Sequence, residues 1–301
     1  MSQFFEMSNI IRKWIFLLLL SLIWGSSFIL IKKGLIGLTP LQLGSYRIVI
    51  SSIIIFLFGF KSLKGLNKKK WKWLAISGFL GSFFPSFLFA YAELEVDSAI
   101  ASVLNSLVPL NTLLLGYLFF KIKSNSFQII GVIIGFIGAI FLILEGYVIN
   151  PNNNYNYSVL IILATLMYAA NVNIIKRYLN DIRPLTITVA NFTAIIIPSL
   201  LVLIFSGGFD NVTISNSSFF PSLGFVVVLS FFGTALAKIL FNTLIQISTP
   251  VFASSVTYLM PLVALGWGIL DSEFFSINQG LASLLILSGI YLSNKRNKKD
   301  R

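Results

Sequence analysis

The sequence contains no cysteine and no histidine, and charged residues make up only 11% of its 301 positions. Without these two residue types the chain has no disulfide, no imidazole base, no Cys/His metal site and no serine or cysteine triad, which excludes most hydrolase chemistry. It also has no P-loop, so direct coupling to ATP is not expected. We therefore predict no catalytic residue, no metal and no cofactor.

Hydrophobic residues occupy 56% of the sequence, and the charged fraction is less than half of the value of about 25% that is typical of soluble domains. Ten apolar stretches have the length of about 20 residues that a helix needs to cross a bilayer. Nothing is left over for a soluble domain, so the sequence predicts an all-α polytopic membrane protein of ten transmembrane helices. The predicted spans are residues 14–31, 41–60, 71–92, 98–120, 127–144, 157–175, 184–205, 221–244, 250–270 and 277–292.

The formal net charge of +12 follows mainly from where the basic residues lie. An even number of spans puts both termini on one side, and that side collects most of the Lys and Arg residues, while the other collects most of the acidic ones. By the positive-inside rule, we predict cytoplasmic N and C termini in the plasma (inner) membrane. This topology leaves four basic residues unexplained: Lys32 and Lys33 at the far end of span 1, and Arg47 and Lys238 within spans.

The two halves of the chain resemble each other. Trp24 aligns with Tyr168 at an offset of 144 residues, and residues 101–110 align with 253–262 at an offset of 152. Chance matching of apolar sequences is the alternative, but the shared Ala-Ser-Pro-Leu pattern favours duplication. Five spans per copy make the second copy enter from the opposite face, which is typical of alternating-access transporters with a midplane site. The predicted repeats are residues 1–150 (spans 1–5) and residues 151–301 (spans 6–10).

Several short motifs in a fixed order resemble one family. They are WGSSF at 24–28, Arg47, LNSLVPL at 104–110, TYLMPL at 257–262, and the acidic residues Asp271 and Glu273. Over the whole chain this order resembles the EamA-type ten-helix permeases of the drug/metabolite transporter superfamily. The resemblance implies a carrier with two EamA repeats, often an exporter of amino acids or other small metabolites. One departure is Lys121, which stands where the second repeat has Glu273.

Two basic residues inside spans are the leading candidates for a substrate site. Lys238 lies deep in span 8, where a lysine near the bilayer centre costs about 2.5–3.5 kcal/mol on insertion scales. It either faces a central cavity and binds an anionic group as a point charge, or snorkels to the cytoplasmic interface. Arg47, in the outer part of span 2, either clamps a substrate carboxylate or forms an ion pair with Glu93 or Glu95.

Spans 4 and 9 carry a matching stripe of small and polar residues at steps of three and four, which indicates one helix face. We expect this face to turn away from lipid. Each proline in it removes a backbone donor, so a freed carbonyl must find another partner or line a cavity; close packing without a ligand is the alternative. The predicted substrate-binding residues besides Lys238 and Arg47 are Asn105, Thr257, Trp24, Tyr168, Asn171, Asn191 and Tyr258, with Pro109 and Pro261 as kinks that line the cavity.

These features predict a carrier that moves a small polar metabolite, amino-acid-like or another organic anion, by alternating access, with export as the expected direction. The acidic residues Glu93, Glu145, Asp271 and Glu273 fall at outer ends of spans, so proton coupling through a midplane carboxylate, as in small multidrug-resistance relatives, is not expected. The alternative is an integral membrane enzyme acting on a lipid or isoprenoid, which would gather acidic or metal-binding residues at one interface. The expected partners are a small-molecule substrate and membrane lipids, not nucleic acid; the oligomeric state does not follow from the sequence.

Overall fold

The structure, a computed structural model, describes residues 2–120, 126–149 and 152–293, and within these ranges it contains helices and no strands. Nine helical stretches in the described residues are long and apolar enough to cross a membrane, and a tenth apolar helix is shorter. The predicted all-α architecture is thus confirmed. The predicted boundary between residues 150 and 151, Lys121 and Lys123, and the basic residues that follow Ser293 lie outside the described residues.

The helices are numbered here as spans 1–10 in chain order. Spans 1–5 comprise Ser2–Gly25 with Ser27–Gly34; Pro40–Gly59 with Phe60–Leu63; Lys68–Gly78, Phe79–Phe83 and Phe84–Ala92; Ser98–Asn105 with Val108–Phe120; and Ser126–Ile149. Spans 6–10 comprise Tyr155–Tyr157 with Ser158–Tyr178; Pro184–Phe205; Phe219–Val228, Leu229–Leu236 and Ala237–Ile247; Pro250–Ser254, Ser255–Tyr258 and Met260–Leu270; and Ile277–Ser293. A short helix, Asn211–Ile214, lies between spans 7 and 8.

Threonine–proline pairs start two of the spans. Before span 2, the Thr39 hydroxyl accepts the backbone N–H of Gln42, and the Gln42 side chain accepts the N–H of Thr39. Before span 9, the Thr249 hydroxyl accepts the N–H of Phe252. Proline is favoured at the first helical position because its missing N–H has no intrahelical partner there, so these helix starts follow from the local sequence.

Spans 4 and 9 are broken near their middle, where the matched stripe contains its prolines. In an unbroken helix, the N–H of residue 109 would bond to the carbonyl of Asn105, and that of residue 261 to the carbonyl of Thr257. Pro109 and Pro261 have no N–H, so both ladders are interrupted. The break places Asn105 at the end of one half-helix and Thr257 in a 3-10 turn.

Spans 3 and 8 each contain a π-helical segment, Phe79–Phe83 and Leu229–Leu236. The segments hold Gly81 and Gly233, which are equivalent residues in the two repeats at the offset of 152. A π segment shifts the backbone out of the normal ladder, and such bulges are frequent at functional sites. Nothing in the apolar pattern of either span predicted this feature.

Spans 5 and 10 pack against each other, and neither contributes to the central cavity described below. Their contact is close because glycine lies on both helices: a Cβ on Gly289 would be 2.5 Å from the carbonyl oxygen of Gly131. Large apolar side chains such as Ile133 and Ile140 on span 5, and Leu284 on span 10, are exposed. This pair of helices therefore offers an apolar outer surface to lipid while spans 1–4 and 6–9 build the centre.

Candidate functional site

A cavity lies between the two repeats, with about 790 Å³ of empty space that includes the part open to solvent. Its walls come from spans 1, 2, 3 and 4 of the first repeat and spans 6, 8 and 9 of the second. Serine, asparagine and threonine side chains are interspersed with aromatic and aliphatic ones, and both predicted intramembrane cations, Arg47 and Lys238, belong to the lining.

The cavity has approximate two-fold symmetry in sequence. Nine pairs of lining residues are related by the same offsets, 144 or 152, that align the two repeats. Both halves of a duplicated chain therefore build the cavity from corresponding positions, as expected for a site at a repeat interface. The pairs are Trp24/Tyr168, Ser27/Asn171, Phe28/Val172, Gly81/Gly233, Ser82/Thr234, Ser86/Lys238, Phe89/Phe241, Asn105/Thr257 and Val108/Met260.

Arg47 enters the cavity from span 2 and is held by span 8. Its Nε donates to the Thr234 hydroxyl at 2.8 Å, and Ser230 Oγ donates to the Arg47 carbonyl at 3.2 Å. The structure shows no salt bridge from Arg47 to Glu93 or Glu95 within the described residues. The two terminal guanidinium nitrogens also have no hydrogen-bond partner in that part of the chain. They are the atoms that bind a carboxylate in the bidentate mode.

Lys238 reaches the cavity from span 8. Its Nζ donates to the carbonyl of Gly81 in the π segment of span 3 and lies 5.5 Å from the ring centroid of Tyr168. Gly81 also lets Asn171 pack closely against span 3, because a Cβ there would be 2.5 Å from the amide nitrogen of Asn171. Among the described residues, no carboxylate forms a salt bridge with Lys238. The side chain is thus partnered by a backbone carbonyl and an aromatic face, both of which leave its positive charge uncompensated.

Five of the other predicted residues line the same cavity: Trp24, Tyr168, Asn171, Asn105 and Thr257. Trp24 Nε1 donates to the Gly233 carbonyl at 2.8 Å, and the Asn171 amide oxygen accepts from Ser77 at 2.6 Å. Asn105 Nδ2 lies 3.8 Å from the sulfur of Met260, whereas its buried Oδ1 has no partner within the described residues.

Four predicted residues are absent from the lining: Asn191, Tyr258, Pro109 and Pro261. The Asn191 amide lies 3.1 Å from the Ser77 hydroxyl, and this hydroxyl donates to Asn171. Asn191 is therefore linked through Ser77 to the lining residue Asn171. The prolines start the second half-helices of spans 4 and 9, so they shape the breaks at Asn105 and Thr257 without facing the cavity themselves.

One end of the bundle is closed by a group of charges, Lys32, Lys33, Asp271 and Glu273, which we call the ion-pair cluster. Lys32 Nζ lies 2.7 Å from Glu273 and 3.0 Å from Asp271, and Lys33 pairs with Asp271. Glu273 also accepts the backbone N–H of Ser98 at 3.3 Å. The cluster links span 1, the start of span 4 and the end of span 9. The ammonium groups of Lys33 and Lys32, that of Lys33 more strongly, keep the pKa of Asp271 below its ordinary value.

The opposite end is held mainly by backbone acceptors and aromatic stacking. Lys176, the equivalent of Lys32 at the offset of 144, donates to the carbonyls of Ile245, Gln246 and Ser248 at 3.1, 3.1 and 2.7 Å. It therefore caps the C-terminus of span 8. Trp73 stacks on Tyr178 with ring centroids 3.8 Å apart. The ends of the bundle thus use different chemistry at equivalent positions.

Sequence reasoning missed both the ion-pair cluster and several lining residues, including Ser86 and Thr234. The signal for the cluster is present in the sequence, because span counting puts Lys32, Lys33, Asp271 and Glu273 on one face of the membrane. For Ser86 and Thr234, the repeat offset is the available signal, because each aligns with a lining residue of the other half.

Ten helices in two repeats around a central cavity with both apolar and polar side chains define an integral membrane protein of the two-repeat carrier class. The chain belongs to the EamA-like transporter family, which matches residues 12–144 and 156–295, one match for each repeat. The family assigned by resemblance is therefore confirmed, and it is a family of transporters rather than enzymes.

The relatives that resemble the chain over most of its length are named transporters. An uncharacterized transporter of Archaeoglobus fulgidus is 27% identical and covers 93% of this chain and 98% of its own. The uncharacterized inner membrane transporter YedA of Escherichia coli is 28% identical over 91% of this chain and 87% of its own. One solved crystal structure overlays with a TM-score of 0.65 over 95% of this chain and 97% of the other; at 16% identity, this likeness shows the fold alone.

Proposed function

We propose that the protein carries a small organic anion, amino-acid-like or another carboxylate or phosphate, across the membrane by alternating access. The observation that supports this proposal is the presence of Arg47 and Lys238 in one cavity with no carboxylate paired to either within the described residues. Two uncompensated cations at membrane depth are costly. An anionic substrate would offset that cost when it binds.

The two cations have different roles in this proposal. Arg47 presents its terminal nitrogens to a carboxylate or phosphate, and the bond from its Nε to Thr234 fixes the plane of the guanidinium. Lys238 supplies a second, less directional charge from the other repeat. The anion is therefore shared by the two halves of the carrier, and a movement of one repeat against the other changes the contacts of both cations.

The proposal includes a direction and an orientation. By the distribution of basic residues, we propose cytoplasmic termini, so the ion-pair cluster faces outward and the Lys176 end faces the cytoplasm. The relative YedA is named an inner membrane transporter, which supports the same location for this chain. In a cell with a negative interior, an anion that crosses alone leaves more readily than it enters; this supports export.

The test uses the purified protein in lipid vesicles and three labelled pairs of probes: L-lactate and lactamide, L-threonine and threoninamide, glucose 6-phosphate and glucose. We expect saturable counterflow for at least one probe that bears a carboxylate or phosphate and much weaker flux for the member of its pair that lacks this group, because that member cannot use Arg47. Equal flux for both members of every pair, or saturable flux for none, would contradict the proposal. Empty vesicles and vesicles with the Arg47→Gln variant are the controls.

A further inference from the structure

Glu93, the first residue after span 3, is a carboxylate in an unusual setting. The residue is only 7% exposed, although its position at the end of a span predicted an outer surface location. Within the described residues neither of its buried side-chain oxygens makes a well-formed hydrogen bond; the neighbouring Ser98 hydroxyl gives the ionised form only a small stabilisation. Burial of an ionised carboxylate without partners is strongly unfavourable, whereas the protonated form is tolerated at much lower cost.

The charges around Glu93 come from four elements. Burial raises the pKa of Glu93 well above its ordinary value, and the negative charge of Glu273 raises it further, while Arg47 and Lys32 act in the opposite direction. Glu273 therefore opposes ionisation of Glu93 from the ion-pair cluster, and Arg47 favours it from the cavity. The charged groups are Lys32 from span 1, Arg47 from span 2, Asp97 in the segment before span 4 and Glu273 after span 9. Two further groups are neutral: Tyr168 of span 6, which faces Arg47, and the Ser98 hydroxyl at the start of span 4.

We infer that Glu93 binds a proton that moves together with the anionic substrate bound at Arg47. This inference rests on the proposed function and adds a coupling ion to it. It departs from the sequence-based expectation that proton coupling through a midplane carboxylate does not occur, which rested on the position of Glu93 at the outer end of a span. No covalent bond changes: one anion and one proton bind, and together they add no net charge when the substrate carries a single negative charge. In that case the membrane potential exerts no net force on the coupled movement, and its direction follows the gradients of substrate and proton.

The coupling follows from electrostatics between Glu93 and Arg47. In the empty carrier, the positive field of Arg47 supports the ionised form of Glu93. A substrate anion at Arg47 neutralises that field and adds a negative charge nearby, so Glu93 gains affinity for a proton. By linkage, a protonated Glu93 leaves Arg47 fully available and strengthens anion binding by the same factor. Proton and anion therefore favour each other, which is the condition for transport in the same direction.

The same proton also affects the ion-pair cluster. Ionised Glu93 repels Glu273, the residue that joins Lys32 to the start of span 4. Protonation removes this repulsion and stabilises the closed cluster. The carrier loaded with both anion and proton is thus the form in which this end of the bundle closes most readily.

The experiment compares the wild type with Glu93→Gln, which keeps the volume of the side chain and removes its proton site. Glu95→Gln is the matched control, since Glu95 lies in the same segment but accepts the backbone N–H of Asn154 at 2.9 Å and is partly exposed. Vesicles contain a pH-sensitive dye, and the probe is whichever of L-lactate, L-threonine and glucose 6-phosphate gives the largest flux. Anion flux and proton movement are recorded together between about pH 5 and about pH 8, a range that lies above the ordinary glutamate pKa of about 4.3.

For the wild type and Glu95→Gln, we expect proton movement with the anion and a KM that falls as the pH falls, by up to about tenfold per pH unit for one linked proton. Glu93→Gln is expected to lose both the proton movement and the pH dependence of KM. Proton movement that persists in Glu93→Gln would overturn the inference. If this variant does not fold, proton uptake by wild-type protein in detergent on addition of the probe decides the question, and no uptake overturns it.

The outcome also separates this inference from the proposed function. Anion flux that depends on Arg47 but moves no proton would overturn the role of Glu93 alone. Absence of saturable anion flux, or flux that is unchanged by Arg47→Gln, would overturn the proposed function as well.

Discussion

The carbonyls of Gly81 and Gly233 occupy equivalent places in the two halves of the cavity, yet they receive different donors. Gly233 accepts the neutral indole N–H of Trp24, whereas Gly81 accepts the ammonium of Lys238. Both glycines lie in π segments, so the two repeats share this backbone geometry. Only Gly81, however, has a charged donor at its carbonyl. The repeats share a backbone scaffold, and they differ in the charged side chains that the proposed function assigns to substrate binding.

The same division holds for the second cation. Arg47 aligns with Asn191 in the other repeat, and Lys238 aligns with Ser86. Each half of the chain therefore contributes one cation where its counterpart has a neutral polar side chain. Substitutions at the unequal positions should change substrate handling, and substitutions at the equal positions should change stability or movement.

Removal of Arg47 should have the largest effect. We expect Arg47→Gln to lower kcat/KM for an anionic probe by about 30-fold or more, because loss of one partner of a buried charge pair costs about 2 kcal/mol or more. Flux of labelled L-lactate in vesicles measures the change. Arg183→Gln, at an exposed position, should leave the flux unaltered. A loss of less than threefold for Arg47→Gln would remove this residue from the site.

Transfer of the second cation between halves should have the next largest effect. Lys238→Ser is expected to lower kcat/KM about tenfold, the lower end of the value of a hydrogen bond to a charged group. The double variant Lys238→Ser with Ser86→Lys places the charge at the equivalent position and should recover part of the flux. Lys69→Ser, an exposed lysine, is the control. Full activity of Lys238→Ser alone would show that this charge has no role in binding.

Substitution of the paired glycines should have equal effects in both halves. A Cβ on Gly81 would lie 2.5 Å from Asn171 Nδ2, and one on Gly233 would lie 2.7 Å from Ser27 Oγ. We expect Gly81→Ala and Gly233→Ala each to reduce the free energy of unfolding by about 1 kcal/mol or more, since overpacking typically costs about 1–3 kcal/mol. Thermal unfolding in detergent measures this. Gly224→Ala, where the added Cβ would have no atom within 4 Å, should unfold as the wild type does. Unequal losses of stability in Gly81→Ala and Gly233→Ala would contradict a backbone geometry shared by the two repeats.

Weakening of the ion-pair cluster should have the smallest effect. The chain has no cysteine, so Ser27→Cys places a single thiol in the cavity. We expect Lys32→Gln to raise its labelling by an impermeant maleimide from the outer side, by about fivefold at most, since such ion pairs contribute about 0.2–1 kcal/mol. Lys70→Gln breaks the 2.8 Å pair with Asp181 at the other end and should not raise outer labelling. Identical labelling of Ser27→Cys alone, with Lys32→Gln and with Lys70→Gln would argue against closure by the ion-pair cluster.

The sequence predicted those features that depend on residue type and periodicity. Ten apolar stretches predicted the helices, and the cost of a charge in lipid singled out Arg47 and Lys238 as candidate cavity residues. Asn105 and Thr257 were found because each precedes a proline by four positions on a polar face. All four residues line the cavity, because their placement follows from local chemistry or from the repeat; their part in substrate binding stays a prediction.

Other features were not predictable because they depend on contacts between distant helices. Asn191 is polar and aligned with Arg47, but the rotation of span 7 directs its amide to Ser77 instead of the cavity. The π segments contain Gly81 and Gly233, where side chains of other spans lie close to the backbone. The burial of Glu93 results from packing at the end of span 3, which no pattern within that span reveals.

The most direct test of the central claim is the ratio of lactate flux to lactamide flux in the same vesicles, measured for the wild type and for Arg47→Gln combined with Lys238→Ser. If the two cations make the cavity selective for an anion, the wild-type ratio is far above one and falls to near one in the double variant. A high ratio that persists without both cations would contradict the account.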